Sequence, residues 1–251
     1  MRIFKCFIFI VILVNSIFIF SGCLPRYGIA NSGSDPIYFT KPMFKDSSIS
    51  SNYFGGKYSH SIDSGYRRNE TNYFSEIYLF RSNTMKFFNF SYGIYGYGGS
   101  YKVVNFEKFK GNKYYYGGGI SSEANLHSIQ SLFDLRYIGI KGSIIYEDGD
   151  YRVFRLESSK DKLTQNINGN TLNYNISTTS EIVLKLKNSI LGLYGSIGVT
   201  KSFYQPEGGG FITQTFCMHY TYKTVTAYVQ LTKCIFGIGN LYSLGLNYEL
   251  K

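Results

Sequence analysis

The last forty residues restrict the fold more than any other stretch. From Phe211 to Glu249 the chain reads as three consecutive β-strands with one repeated two-faced pattern. In the first, Ile212, Phe216, Met218, Tyr220 and Tyr222 share one parity, and Thr213, Thr215, Cys217, His219 and Thr221 the other. In the second, Val225, Ala227, Val229 and Leu231 alternate with Thr224, Thr226, Tyr228, Gln230 and Thr232. In the third, Phe236, Ile238, Tyr242, Leu244, Leu246 and Tyr248 alternate with Gly237, Gly239, Ser243, Gly245, Asn247 and Glu249. Side chains change face at every strand residue, so each strand has one apolar face and one small, polar face. A soluble sandwich or barrel buries the apolar face; a membrane barrel turns it to lipid and keeps polar groups inside. The opposite face is too rich in Gly, Ser, Thr and Asn for a tight core, which favours the membrane barrel.

Composition agrees with strands. Tyr (25) and Phe (21) supply all the aromatics, Trp is absent, and Gly (27) far exceeds Pro (4). That mixture suits strands and tight turns. Mean hydropathy is close to zero, as expected when apolar and polar residues alternate through a bilayer, and unlike a helical membrane protein.

Strand signals follow one another at 52–62, 71–82, 86–98, 112–126, 132–146, 150–158, 162–176, 179–188, 190–202, 211–222, 224–233 and 235–249. Most reach the roughly 9–11 residues a tilted membrane strand needs. Ser82-Asn83-Thr84, Asp148-Gly149 and Asn188-Ser189 read as compact turns, and Asp63–Glu70, Gly99–Gly111 and Tyr204–Gly210 as longer links. If 162–176 is a strand, all three longer links fall at one end, the asymmetry of outer-membrane barrels. The expectation is an all-β, antiparallel up-and-down membrane barrel over 52–251. Its preferred count is twelve strands, with ten as the alternative, since barrels of this type use even numbers. No helix longer than a turn or two is read after residue 22.

Residues 1–22 read as a cleaved signal peptide: Arg2 and Lys5 begin it, and a mostly apolar run from Cys6 to Phe20 follows, ending in small residues. Removing them leaves 24 basic and 16 acidic residues, a net charge of +8. With no basic run and no groove-reading helix, nucleic acid is not a partner; outer-membrane lipid is, and lipid A phosphates suit the positive charge. Residues 23–51, rich in Ser, Asn, Gly and Pro, read as a tether with one segment that docks, Ile37-Tyr38-Phe39, between Pro36 and Pro42.

The junction Phe20-Ser21-Gly22-Cys23 resembles the lipobox of bacterial lipoproteins, with Phe20 where that family usually has Leu. The resemblance implies that Cys23 becomes the first mature residue and carries acyl chains such as palmitate. Leu24 is not the aspartate that retains enterobacterial lipoproteins at the inner membrane, which implies outer-membrane delivery. Together with Cys23-Leu24-Pro25-Arg26-Tyr27 and the aromatic strands that follow the tether, the chain resembles barrel lipoproteins of bacteroidete-type Gram-negative bacteria. That resemblance implies fold and address, not a substrate.

Charged or polar residues on the inward parity are Glu76, Lys113, Glu123, Asp134, Arg136, Lys185, Lys187, His219 and Glu249. A charge in a lumen needs water or a partner, so these either pair across the interior and close it or line a small pore. For a barrel of this size closure is favoured. The glycines of 93–99 and 117–119 lack the context of a phosphate loop and read as space beside bulky tyrosines. Cys217 and His219 share the polar face without an orienting carboxylate, and His60 and His127, the latter in a predicted turn, have no motif around them. No catalytic group, metal site or cofactor is assigned. Symmetric counting around a turn near Lys223 puts Cys217 opposite about Val229, out of register with Cys234 for a disulfide.

The reading is an outer-membrane, lipid-anchored barrel with a structural or interaction role. Its alternatives are a porin-like channel, which needs an open lumen; a lipid-modifying enzyme, which needs Ser and His within hydrogen-bond reach; and a periplasm-facing soluble barrel that binds an apolar ligand and points its oily residues inward.

Overall fold

The computed structural model describes residues 30, 37–43, 48–62, 69–160, 169–203, 211–234 and 240–250. Cys23 and the rest of the lipobox lie outside the described residues. Ten antiparallel strands form one closed barrel: β1 (Ile49–Ile62), β2 (Thr71–Thr84), β3 (Phe88–Val103), β4 (Gly111–Ile129), β5 (Phe133–Asp148), β6 (Leu172–Lys185), β7 (Ser189–Ser202), β8 (Phe211–Tyr222), β9 (Val225–Cys234) and β10 (Asn240–Leu250). Each strand pairs with its neighbours in sequence, and β1 closes on β10 through a register running from Asn52–Leu250 to Ile62–Asn240. Closure satisfies every edge, so no strand presents an unpaired ladder.

The strand count is ten rather than twelve, and the difference lies in 150–185. Residues Asp150–Lys160 form a helix, α1, not a strand. Tyr151, Phe154, Arg155 and Ser158 are buried, spaced as one helical stripe, while Val153 is exposed. Gly149, at φ +117°, ends β5 and lets the helix begin, so Asp148-Gly149 is a strand-to-helix junction instead of a hairpin turn. The expectation of no helix longer than a turn or two after residue 22 is therefore corrected, since α1 has 11 residues. Within the expected strands 162–176 and 179–188, Leu172–Lys185 is one strand, β6, and 162–168 lie outside the described residues. The run Ser177-Thr178-Thr179-Ser180 looks like a turn, but the faces alternate straight through it, with Ser177, Thr179 and Glu181 all buried inward.

The ends of the barrel differ. Turns at 85–87, 130–132, 186–188 and 223–224 are short. The opposite end carries 63–70, 104–110, 149–171 with α1, 203–210 and 235–239. The compact turn read at Ser82–Thr84 is strand; its chain reversal is Met85–Phe87.

The apolar faces point outward. Phe216, Val229 and Leu244 are 54%, 45% and 61% exposed. Ile77, Ile94, Ile120, Ile140, Ile176 and Leu246 join them. Inward are Ser and Thr pairs that bond across neighbouring strands, such as Ser59 with Ser243, Ser121 with Ser143 and Thr215 with Thr232, at 2.8–3.0 Å. This is the sense expected of a membrane barrel and the reverse of a soluble one.

The interior is not uniformly polar. Tyr53, Phe74, Tyr78, Phe80, Tyr95, Tyr97 and Tyr115 fill one side of it. Small residues make room for them. A Cβ on Gly119 would sit 2.7 Å from the Tyr95 hydroxyl and 1.9 Å from the Ile144 carbonyl oxygen; one on Gly117 would lie 2.5 Å from the Tyr97 ring. Because Ile144 O is backbone, rotation of a side chain cannot relieve Gly119→Val. That variant is expected to lose about 1–3 kcal/mol, read as a lower midpoint for loss of the compact, heat-modifiable band in gel electrophoresis.

Candidate functional site

The polar side of the lumen converges on Glu181 of β6, a residue that shares parity with Lys185 but was not singled out from sequence. Its Oε2 accepts from Arg136 Nη1 at 2.7 Å and lies 3.3 Å from Lys41 Nζ. Its Oε1 accepts from the Tyr38 hydroxyl at 2.7 Å and lies 2.9 Å from His219 Nε2. Arg136 Nε donates to Asp134 Oδ2 at 3.2 Å, and Asp134 Oδ1 is 3.0 Å from His127 Nδ1. Lys41 Nζ is also 3.0 Å from Glu123 Oε1, which accepts from Asn125 and Thr179 as well. Strands β4, β5, β6 and β8 thus hold one continuous buried network.

Two members of that network, Tyr38 and Lys41, come from before the barrel. Residues 37–41 are buried inside it. The Tyr38 ring packs on His219, Tyr228 and Tyr194, with centroids 4.8–5.7 Å apart, beside the buried thiol of Cys217. Asn247 Nδ2 donates to Tyr38 O at 3.0 Å and Thr40 Oγ1 at 2.8 Å, and Lys141 Nζ donates to Ile37 O. Phe39 packs edge-on to Phe80 at 5.3 Å. The patch read from sequence as a docking segment docks in the lumen, held by polar contacts on one side and aromatic contacts on the other.

A second cluster lies at the long-link mouth. Glu147 Oε1 accepts from Arg155 Nη2 of α1 at 2.7 Å, and its Oε2 accepts from the Ala30 N–H at 2.9 Å and the Tyr97 hydroxyl at 3.2 Å. Tyr151 of α1 stacks on Tyr101 at 4.5 Å. The helix is a lid on the aromatic side of the lumen.

Of the residues expected inside, Glu76, Glu123, Asp134, Arg136 and His219 are buried there. Glu76 pairs with Lys57 at 3.6 Å. Lys113, Lys185 and Glu249 keep the inward parity but stand at the rims, half-buried: Lys113 near the start of β4 at the long-link end, Lys185 donating to Gln130 O, and Glu249 accepting from Ser51 at 2.6 Å. Lys187 lies in the β6–β7 turn, exposed, and is not a lumen residue. Lys141 and Glu147 could not be found by extending the parity of Asp134 and Arg136. A bulge at Tyr137–Ile138 puts two residues outward in succession and switches the inward set to odd numbers.

The histidines have other partners than those of a hydrolase. His127 is not in a turn; it is buried near the end of β4 and bonds Asp134 and Met85 O. His60 stacks on Tyr73 with ring centroids 4.6 Å apart, and His219 faces Glu181, the carboxylate that sequence alone did not supply. Among the described residues no histidine bonds a serine, and no group of three His, Cys, Asp or Glu side chains is arranged for a metal ion. Cys217 is opposite Gln230, one residue from the expected Val229, because the hairpin turns on Lys223–Thr224; Cys234 pairs with Thr213. A concavity of about 1030 Å³ runs over Ser122 and Gly142, rimmed by Leu79, Ile94, Ile120, Ile144 and Ile176. Those rim residues belong to the outward apolar set, away from the buried charges.

No protein-family model matches the chain, and no curated protein matches it. Among solved structures it is similar to an outer-membrane channel from Pseudomonas putida F1, at 7% identity and TM-score 0.46, over 80% of this chain and 96% of that one. It is also similar to the translocator domain of the autotransporter NalP from Neisseria meningitidis (7%, TM-score 0.39, 80% and 87%) and to the outer membrane protein OprG from Pseudomonas aeruginosa (9%, TM-score 0.36, 80% and 96%).

Proposed function

We propose that the chain is an outer-membrane β-barrel of a Gram-negative bacterium, anchored a second time by acyl chains on Cys23. In this reading its lumen is shut by its own N-terminal segment, and its long links serve as an interaction surface. It has no catalytic role. The outward apolar side chains and the short-turn, long-link asymmetry support the membrane and its sidedness. The lipobox supports the anchor. Exposed Lys102 and Lys108 flank the β3–β4 link, with Lys113 at its base, and suit lipid A phosphates on that side.

One observation carries the closed state: residues 37–41 occupy the lumen and tie Lys41 to Glu123 and Glu181 on the wall. A porin-like open pore and this segment cannot share the same space. Planar-bilayer recording tests the reading. The full chain is expected to give no resolvable steps, and a chain lacking residues 37–43 to give stable steps. Steps of equal size from both overturn it.

A further inference from the structure

The N-terminal segment has a direction. The Ala30 N–H donates to both oxygens of Glu147, the penultimate residue of β5 on the long-link side. Ala30 O accepts from Asn72 Nδ2 at 2.8 Å, and Asn72 is the second residue of β2, which enters from that same side. Met43 is at the other end. It lines a concavity of about 340 Å³ with Leu186 and Asn188 of the β6–β7 turn and Lys223 of the β8–β9 turn. β1 then begins at Ile49 on that short-turn rim, where it pairs Thr84. Lys41 lies eleven positions after Ala30. At about 3.3 Å per extended residue that is roughly 36 Å, more than the ~25 Å apolar belt of such barrels.

We infer that the chain threads the barrel from the long-link mouth to the short-turn mouth before β1 starts, so that the residues preceding Ala30, Cys23 among them, emerge on the long-link side. This rests on the proposed outer-membrane, acylated reading and deepens it, because it chooses the leaflet. A tether running directly into β1 would leave the acyl chains in the periplasmic leaflet, at the rim where β1 begins. A threaded one brings them to the outer leaflet. Six residues, and so seven Cα-to-Cα steps, lie between Cys23 and Ala30. At about 3.3–3.6 Å each they reach up to about 25 Å, enough to pass from the mouth over the rim to lipid.

Epitope insertions in the full chain, expressed in a Gram-negative host, test this. One goes after Tyr27, one in the link 204–210, and one between Asn188 and Ser189. On intact cells antibody is expected to reach the first two, and the third only after permeabilisation. A residue-27 epitope that behaves like the one at 188–189 overturns the threading. If the first two stay together but are hidden while the third is exposed, threading stands and the orientation under the proposed function fails. Where an insertion blocks assembly, Tyr27→Cys with Cys217→Ser and Cys234→Ser, probed with a membrane-impermeant maleimide, reads the same point: labelling on intact cells equal to that on permeabilised cells is expected, and labelling only after permeabilisation overturns it.

Discussion

Replacing Arg136 with methionine is expected to destabilise the barrel by about 3–5 kcal/mol, the range for removing one partner of a buried ionic cluster. Arg136 is 2% exposed and bridges Asp134 and Glu181. Methionine keeps much of the volume, so the loss is electrostatic: two carboxylates are left facing each other with Lys41 as the nearest remaining cation. A second change that removes one of those charges, Asp134→Asn, is expected to restore part of the loss. The readout is the urea midpoint of unfolding from lipid vesicles, followed by tyrosine fluorescence since the chain has no tryptophan. A single variant within about 0.5 kcal/mol of the parent, the scale of ordinary surface substitutions, would mean that water already solvates this cluster.

The second large effect is functional. Lys41→Glu is expected to turn a silent barrel into a conducting, cation-selective one. Lys41 is the segment's only charge among residues 37–43, and it sits within 3.3 Å of two carboxylates. Reversal places a third carboxylate between them. Two outcomes compete: the segment stays and the buried charges protonate, or it leaves and water enters. Expulsion is favoured because the freed wall is already polar and hydrates at once, whereas in the dry triad Arg136 offsets only the carboxylate of Glu181. In the emptied lumen Glu76, Glu123, Asp134, Glu147 and Glu181 outnumber Lys57, Arg136, Lys141 and the Arg155 that pairs with Glu147, which sets the sign of selectivity. Reversal potentials across a salt gradient check it. Silent recordings from a well-folded Lys41→Glu barrel, or anion selectivity, would contradict the latch.

How much of this was legible in the sequence follows from periodicity. The dyad repeat from Phe88 to Ile94, Leu191 to Val199, and through 212–222, 225–233 and 240–249 holds face for face, while Phe236, Gly237, Ile238 and Gly239 lie outside the described residues. Two kinds of local event defeat it. A bulge, as at Tyr137–Ile138, costs one residue of phase and hid Lys141 and Glu147. A short helix whose sequence also alternates, Asp150–Lys160, mimics a strand until its buried positions are seen to fall three and four apart. The inward charges were legible because alternation identifies a face. Their pairing was not, since Arg136, Glu181 and Lys41 meet only after β5 and β6 align and the N-terminal segment enters between them. The docking of Ile37-Tyr38-Phe39 was readable as apolarity between prolines, but nothing in the residues said that the lumen would receive it.

The account stands or falls on the outward sense of the apolar faces, and nitroxide accessibility measures it directly. Single cysteines at Phe216, Val229 and Leu244, and at their neighbours Thr215, Gln230 and Ser243, are spin-labelled in the Cys217→Ser, Cys234→Ser background and reconstituted in bilayers. The first three labels are expected to collide readily with oxygen and hardly at all with a water-soluble nickel chelate, while the second three are shielded from oxygen in the lipid. Labels at Phe216, Val229 and Leu244 that are protected from both reagents would place those side chains in a protein core and contradict the barrel's inside-out arrangement.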